Sequence, residues 1–142
     1  MAGITSDIDL EELANRMGLK LNYIGFKNEL PQVPHKGSYI INLASSDDGT
    51  GGTHWVALRL DKYGAIYFDP FGMPEPIAVN KFIMKWVKNN ENKVIRNTTD
   101  IQSITSNWCG QYSVAALATF DQKKNQSLSK RLNNFISEFR HY

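Results

Sequence analysis

A single cysteine, Cys109, in 142 residues leaves no internal disulfide to form, a usage that suits a reducing compartment. Long apolar runs are missing too, since none reaches the roughly 18 residues that a membrane span needs. The opening Met1-Ala2-Gly3-Ile4-Thr5-Ser6-Asp7 has no basic stretch followed by an apolar one, so no secretory signal is expected. One cysteine and three scattered histidines make no zinc pattern. Gly49-Thr50-Gly51-Gly52 lacks the lysine and helix that a phosphate-binding loop requires. No internal repeat or low-complexity tract is present. These absences argue against a disulfide-stapled scaffold, a helical membrane protein and a nucleotide-phosphate binder.

What is present fits one domain, residues 1–142. A hydrophobic content of 42% with 21% charged residues is enough to build one core and ordinary for a globular chain. The net charge of +2 hides an asymmetry: residues 1–70 carry 6 Lys/Arg against 9 Asp/Glu, and residues 71–142 carry 10 against 5, or −3 and +5. The basic half could meet a polyanion. Lys81, Lys85 and Lys88 fall at helical spacing, however, and such a run is more often a solvated helix face.

In chain order, Ser6 with Asp9 resembles a capping box, and Leu10, Leu13 and Met17 recur at helical spacing up to Gly18. Residues 19–37, with Gly25, Pro31, Pro34 and Gly37 among Tyr23, Ile24 and Phe26, read as an ordered loop. Residues 38–43 read as a strand. Residues 53–60 and 65–69, joined by Asp61-Lys62-Tyr63-Gly64, read as an antiparallel hairpin that Pro70 ends. Pro76 and Ile77 open a helix with an apolar stripe of Ile77, Phe82, Ile83, Trp86 and Val87 opposite the lysines. A short strand follows near Val94 and Ile95. Residues 97–107 form a polar loop in which Ser106 or Asn107 can cap the next helix. That helix, about 108–120, is nearly all small or apolar and so belongs at the centre. A last amphipathic helix starts near Ser127 and carries Leu128, Leu132, Phe135 and Phe139.

The chemistry turns on Cys109 at the first turn of the central helix. A lone cysteine is usually an inert small hydrophobe. At a helix N-terminus beside an imidazolium it becomes a thiolate nucleophile. His54 opens the first hairpin strand and Asp69 closes the second, so both lie at the same end and can be neighbours. A carboxylate that orients an imidazole is the third member of a catalytic triad. Taken singly, His54 is a half-buried strand residue and Asp69 a turn initiator before Pro70. Gln102 lies in the polar loop, where its amide could donate to a developing oxyanion beside the Cys109 N–H, although spacing alone is a weak argument. His35 and His141 lack comparable company.

Gly51-Gly52-Thr53-His54-Trp55, then Tyr67-Phe68-Asp69-Pro70-Phe71-Gly72, then Gln102, then Asn107-Trp108-Cys109-Gly110, in that order, resemble the adenovirus-type maturation cysteine proteases. The wider group is the ubiquitin-like-specific, or Ulp1-like, cysteine proteases. Tyr23-Ile24-Gly25-Phe26 and Asn28-Glu29-Leu30-Pro31 extend the resemblance over residues 1 to about 120. It implies an α+β fold in which a central helix carrying the nucleophile packs on a mainly antiparallel sheet with flanking helices. It implies a thiol endopeptidase with Cys109 as nucleophile, His54 as base and acid, Asp69 orienting the imidazole, and Gln102 with the Cys109 N–H as oxyanion hole. Substrates with small residues, often glycine, before the scissile bond are implied, in a narrow cleft walled by Trp55 with Gly52 and Trp108.

The same resemblance implies processing of capsid and virion precursors, by a monomer without membrane contact, in the virion and in the cytoplasm or nucleus of an infected cell. The alternative substrate is a ubiquitin-like modifier, and a third reading is an inactive binding module. The chain departs from the adenoviral pattern in two ways. Its triad acid is Asp rather than Glu, as in the ubiquitin-like-specific branch. It also has no second cysteine, so a peptide activator tethered by a disulfide would consume the nucleophile and is not expected. DNA, a cofactor of the adenoviral members, is compatible with the +5 half; no other cofactor is required. The short chain suggests a minimal version such as those of virophages, other small double-stranded DNA viruses and related transposons.

Overall fold

A computed structural model describes residues 6–44, 54–101 and 108–139. The N-terminal helix α1 (Asp7–Arg16) starts where Ser6 and Asp9 exchange side-chain and backbone hydrogen bonds, the capping box expected from their spacing. Five strands follow: β1 (Leu21–Phe26), β2 (Gly37–Asn42), β3 (Trp55–Asp61), β4 (Gly64–Phe68) and β5 (Val94–Arg96). The helices after β4 are α2 (Ile77–Val87), α3 (Cys109–Gln122) and α4 (Leu128–Phe139).

The strands form one sheet in sequential order. The central three are antiparallel, with β3 and β4 forming the expected hairpin, whereas β1 joins β2 and β5 joins β4 in parallel. β1 corrects the reading of residues 19–37 as a loop: its ladder to β2 is parallel, so no tight turn announces the pairing. Period-2 alternation then divides the core. Ile40, Trp55, Ala57, Ile66 and Phe68 face α1, α3 and α4, while Tyr39, Ile41, Val56, Leu58, Leu60, Ala65 and Tyr67 face α2. Helices therefore cover both faces of the sheet, and α3 is buried along most of its length.

Two helix assignments are modified. Val79, Phe82, Ile83 and Val87 make the buried stripe of α2, and Ile77 is 76% exposed. Five positions before Phe82, Ile77 points roughly 140° away from that stripe. In α4, Leu128, Leu132 and Phe135 are buried as expected, but so is Arg131, fully, with its guanidinium 2.6 Å from Asp61 Oδ2. Asp61 also caps the hairpin turn by accepting from the Tyr63 N–H at 2.7 Å.

Candidate active site

His54 lies one residue before β3, and its carbonyl accepts a hydrogen bond from the Leu43 N–H at 2.9 Å, which extends the β2 to β3 ladder just far enough to hold it. The β3 to β4 register pairs Ala57 with Phe68. Continued outward, it sets residue 54 opposite residue 71, so Asp69 reaches His54 diagonally. His54 Nε2 and Asp69 Oδ1 are 2.8 Å apart, with Asp69 wholly buried. The same Oδ1 accepts the Phe71 N–H at 2.8 Å, an Asx turn that fixes the carboxylate's rotamer. The Phe71 ring stacks on the imidazole, centroids 4.5 Å apart and planes within 12°.

Cys109 is the first residue of α3. Trp108 is the N-cap and supplies no side-chain cap bond, while Ser106 and Asn107, read as capping candidates, lie outside the described residues. Gly110 lets α1 press against this turn: a Cβ there would sit 2.7 Å from Leu10 Cδ2. The Trp55 N–H donates to Cys109 Sγ at 3.3 Å, and Ser113 Oγ donates to the carbonyls of Cys109 and Trp55 at 2.8 and 3.2 Å. The helix start is thereby fastened to the first residue of β3, next to His54. A helix N-terminus and a donated N–H both place positive potential at the sulfur.

Asp69 occupies Nε2, so the buried Nδ1 is the ring nitrogen left to face the Cys109 thiol. Burial pulls the His54 pKa down, but the Asp69 hydrogen bond and charge and the neighbouring Cys109 outweigh it and raise the value from 6.5 to about 9. At neutral pH the imidazole is thus an imidazolium flanked by a carboxylate and a sulfur.

The structure brings His54, Asp69 and Cys109 to one place. Of the residues read as walls of a cleft, Trp55 is buried at 5% exposure and Trp108 is 44% exposed next to Cys109. Gly52 and Gln102 lie outside the described residues. Sequence reasoning missed the parts played by Phe71, Ser113 and Asn97. Asn97 Oδ1 accepts the Asp69 N–H at 2.9 Å, and its Nδ2 donates to the Asp69 carbonyl at 2.6 Å. Asp-Pro-Phe carries a turn signal that could have pointed to Phe71. Asn97, 28 residues from Asp69, carries none. Among the described residues, no group of three His, Cys, Asp or Glu side chains is placed to hold a metal ion.

A family model described as adenovirus endoprotease matches residues 23–139. The chain belongs to the adenovirus endoprotease family. It is therefore a member of a cysteine protease family, as the ordered motifs implied. The protease of Fowl adenovirus A serotype 1 is 26% identical over 140 residues, spanning 87% of this chain and 67% of that protein. The protease of Avian adenovirus 8 is 27% identical over 134 residues, spanning 83% and 64%. The chain thus spans about two thirds of the length of these relatives.

Among solved structures, the ASFV protease superposes with a TM-score of 0.52 at 16% identity, covering 97% of this chain and 66% of that one. That likeness concerns the fold, and it agrees with the α+β architecture expected from the motifs. Among the described residues, no helix is long and apolar enough to cross a membrane.

Proposed function

We propose that this endoprotease family member is an active thiol endopeptidase that cleaves viral capsid and virion precursor proteins after small, glycine-containing motifs. The observation that carries the reading is the placement of His54, bonded to buried Asp69 through Nε2 at 2.8 Å, beside a Cys109 sulfur that already accepts the Trp55 N–H. The sulfur attacks the scissile carbonyl as a thiolate. The imidazolium, held by Asp69, gives its Nδ1 proton to the leaving amine, and the resulting thioester is hydrolysed by a water that His54 deprotonates. The Cys109 N–H at the start of α3, together with Gln102, receives the oxyanion. Trp108, exposed beside the nucleophile, and Gly52 flank the substrate strand, and Trp55 backs it.

Cys109 is the only cysteine, so activation proceeds without a disulfide-tethered peptide. The enzyme acts as a monomer in the virion and infected cell, with weak DNA binding through the basic C-terminal half. The test is incubation of the purified protein with viral capsid precursor proteins and, separately, with ubiquitin-like conjugates. Cleavage of capsid precursors that is lost in Cys109→Ala is expected; cleavage of the conjugates alone would assign the alternative substrate class.

A further inference from the structure

We infer that Asn97 is a positioning residue for the Asp69 carboxylate and, through it, for the proton-handling role of His54. The inference rests on the reading of Cys109 and His54 as the reacting pair. The sheet itself leaves Asp69 unsupported. The β4 to β5 ladder ends at Tyr67 opposite Arg96, and Pro70 has no N–H with which to continue it. Asn97, the residue after β5, fills the gap with its side chain. A carboxamide offers a donor and an acceptor at the spacing of a peptide group, and both backbone groups of Asp69 use it: the N–H donates to Oδ1 at 2.9 Å and the carbonyl accepts from Nδ2 at 2.6 Å.

The second Nδ2 hydrogen donates to the Thr99 carbonyl at 3.1 Å, so the amide also fixes its own strand exit. Both residues are buried, Asn97 to 5% and Asp69 to 0%, where lost hydrogen bonds are not replaced from bulk water. The turn closes around this clamp: the Asp69 carbonyl also accepts the Gly72 N–H at 2.8 Å, and the Pro70 carbonyl accepts the Ile101 N–H at 2.9 Å. Gly72, at φ 74°, is required because a Cβ would meet the Thr99 backbone at 2.7 Å. With both backbone groups held by Asn97 and Oδ1 held by the Phe71 N–H, the carboxylate is set against His54 Nε2.

Asn97 touches no reacting atom, so its action should be visible only through Asp69. The groups acting on the His54 charge are Asp69 and Cys109. The rate of Cys109 alkylation by iodoacetamide, measured against pH, reports them without any peptide substrate, and no second thiol interferes. Asn97→Ala and Asn97→Ser should each move the upper inflection of that profile to lower pH by roughly one unit. Asp69→Ala should move it at least as far, and Asn97→Ala added to Asp69→Ala should move it no further. On a cleavable peptide the same single variants should lower kcat about 10- to 100-fold with KM within about twofold.

The inference is overturned if folded Asn97 variants keep the wild-type inflection, or if the effects of Asn97→Ala and Asp69→Ala add. It is also overturned if both Asn97 variants unfold where Asp69→Ala folds, since Asn97 then serves the fold rather than the acid. Failure of the protease reading looks different: a wild-type alkylation profile with no upper inflection, and no peptide cleaved.

Discussion

Phe71 lies flat on His54, ring centroids 4.5 Å apart, while its own N–H holds the Asp69 oxygen that His54 uses. One residue thus supports both partners of the ion pair. An aromatic face also attracts a cation, which favours the protonated imidazole.

Replacing Phe71 by Ala should therefore cost activity without removing any group that touches the scissile bond. A loss of roughly 10-fold in kcat is expected, with partial recovery in Phe71→Tyr, which keeps the aromatic face; the backbone N–H to Asp69 is present in both variants. Equal kcat in wild type and Phe71→Ala would show the stack to be incidental.

The pH dependence follows from the His54 value of about 9. In the proposed mechanism the imidazolium is the general acid, so kcat/KM should fall as pH rises through about 9. Because the folded-state value is raised above 6.5, the charged His54 also stabilises the fold fully below about pH 6.5, and this contribution fades as pH climbs through about 9. In Asp69→Asn the basic limb should move to lower pH and kcat should drop roughly 10²- to 10⁴-fold. An unmoved limb would mean that Asp69 does not set the charge of His54.

Gly110 governs how closely α1 approaches the first turn of α3, where Cys109 sits. Gly110→Ala puts a methyl 2.7 Å from Leu10 Cδ2, the movable end of a buried side chain, and should cost about 1–3 kcal/mol of stability in urea unfolding. Leu10→Val in the same chain should return part of that loss, and additive losses would place the strain elsewhere.

Away from the site, Arg131 and Asp61 form a buried ion pair at 2.6 Å. Arg131→Met alone leaves a buried carboxylate and should destabilise by about 3–5 kcal/mol, whereas Arg131→Met with Asp61→Leu should recover part of it, less what the lost Asp61 bond to the Tyr63 N–H contributes to the turn. Catalytic constants should be unchanged in both, and a marked kcat loss would tie this cluster to the active site.

Much of the fold was legible because local signals coincide with it: the Ser6 and Asp9 cap, the Asp61 to Gly64 turn between two β-rich runs, and the small apolar α3. β1 was not legible, because its parallel partner lies beyond the proline-bearing segment and its Gly25 and flanking prolines imitate a loop. Arg131 was not either, since charge argues for the surface and only the fold supplies Asp61. At the site, the hairpin signals alone put His54 near Asp69, and it was the resemblance of the ordered motifs to the adenovirus-type proteases that joined Cys109 to them. Asn97 and Ser113 act through backbone groups of residues 28 and 58 positions away, relations that residue type does not announce.

One comparison tests the role of Cys109 most directly: purified wild type against Cys109→Ala, incubated with viral capsid precursor proteins and followed by mass spectrometry of the fragments. Discrete cleavage by the wild type and none by folded Cys109→Ala is the predicted result. The same fragments from Cys109→Ala would contradict it.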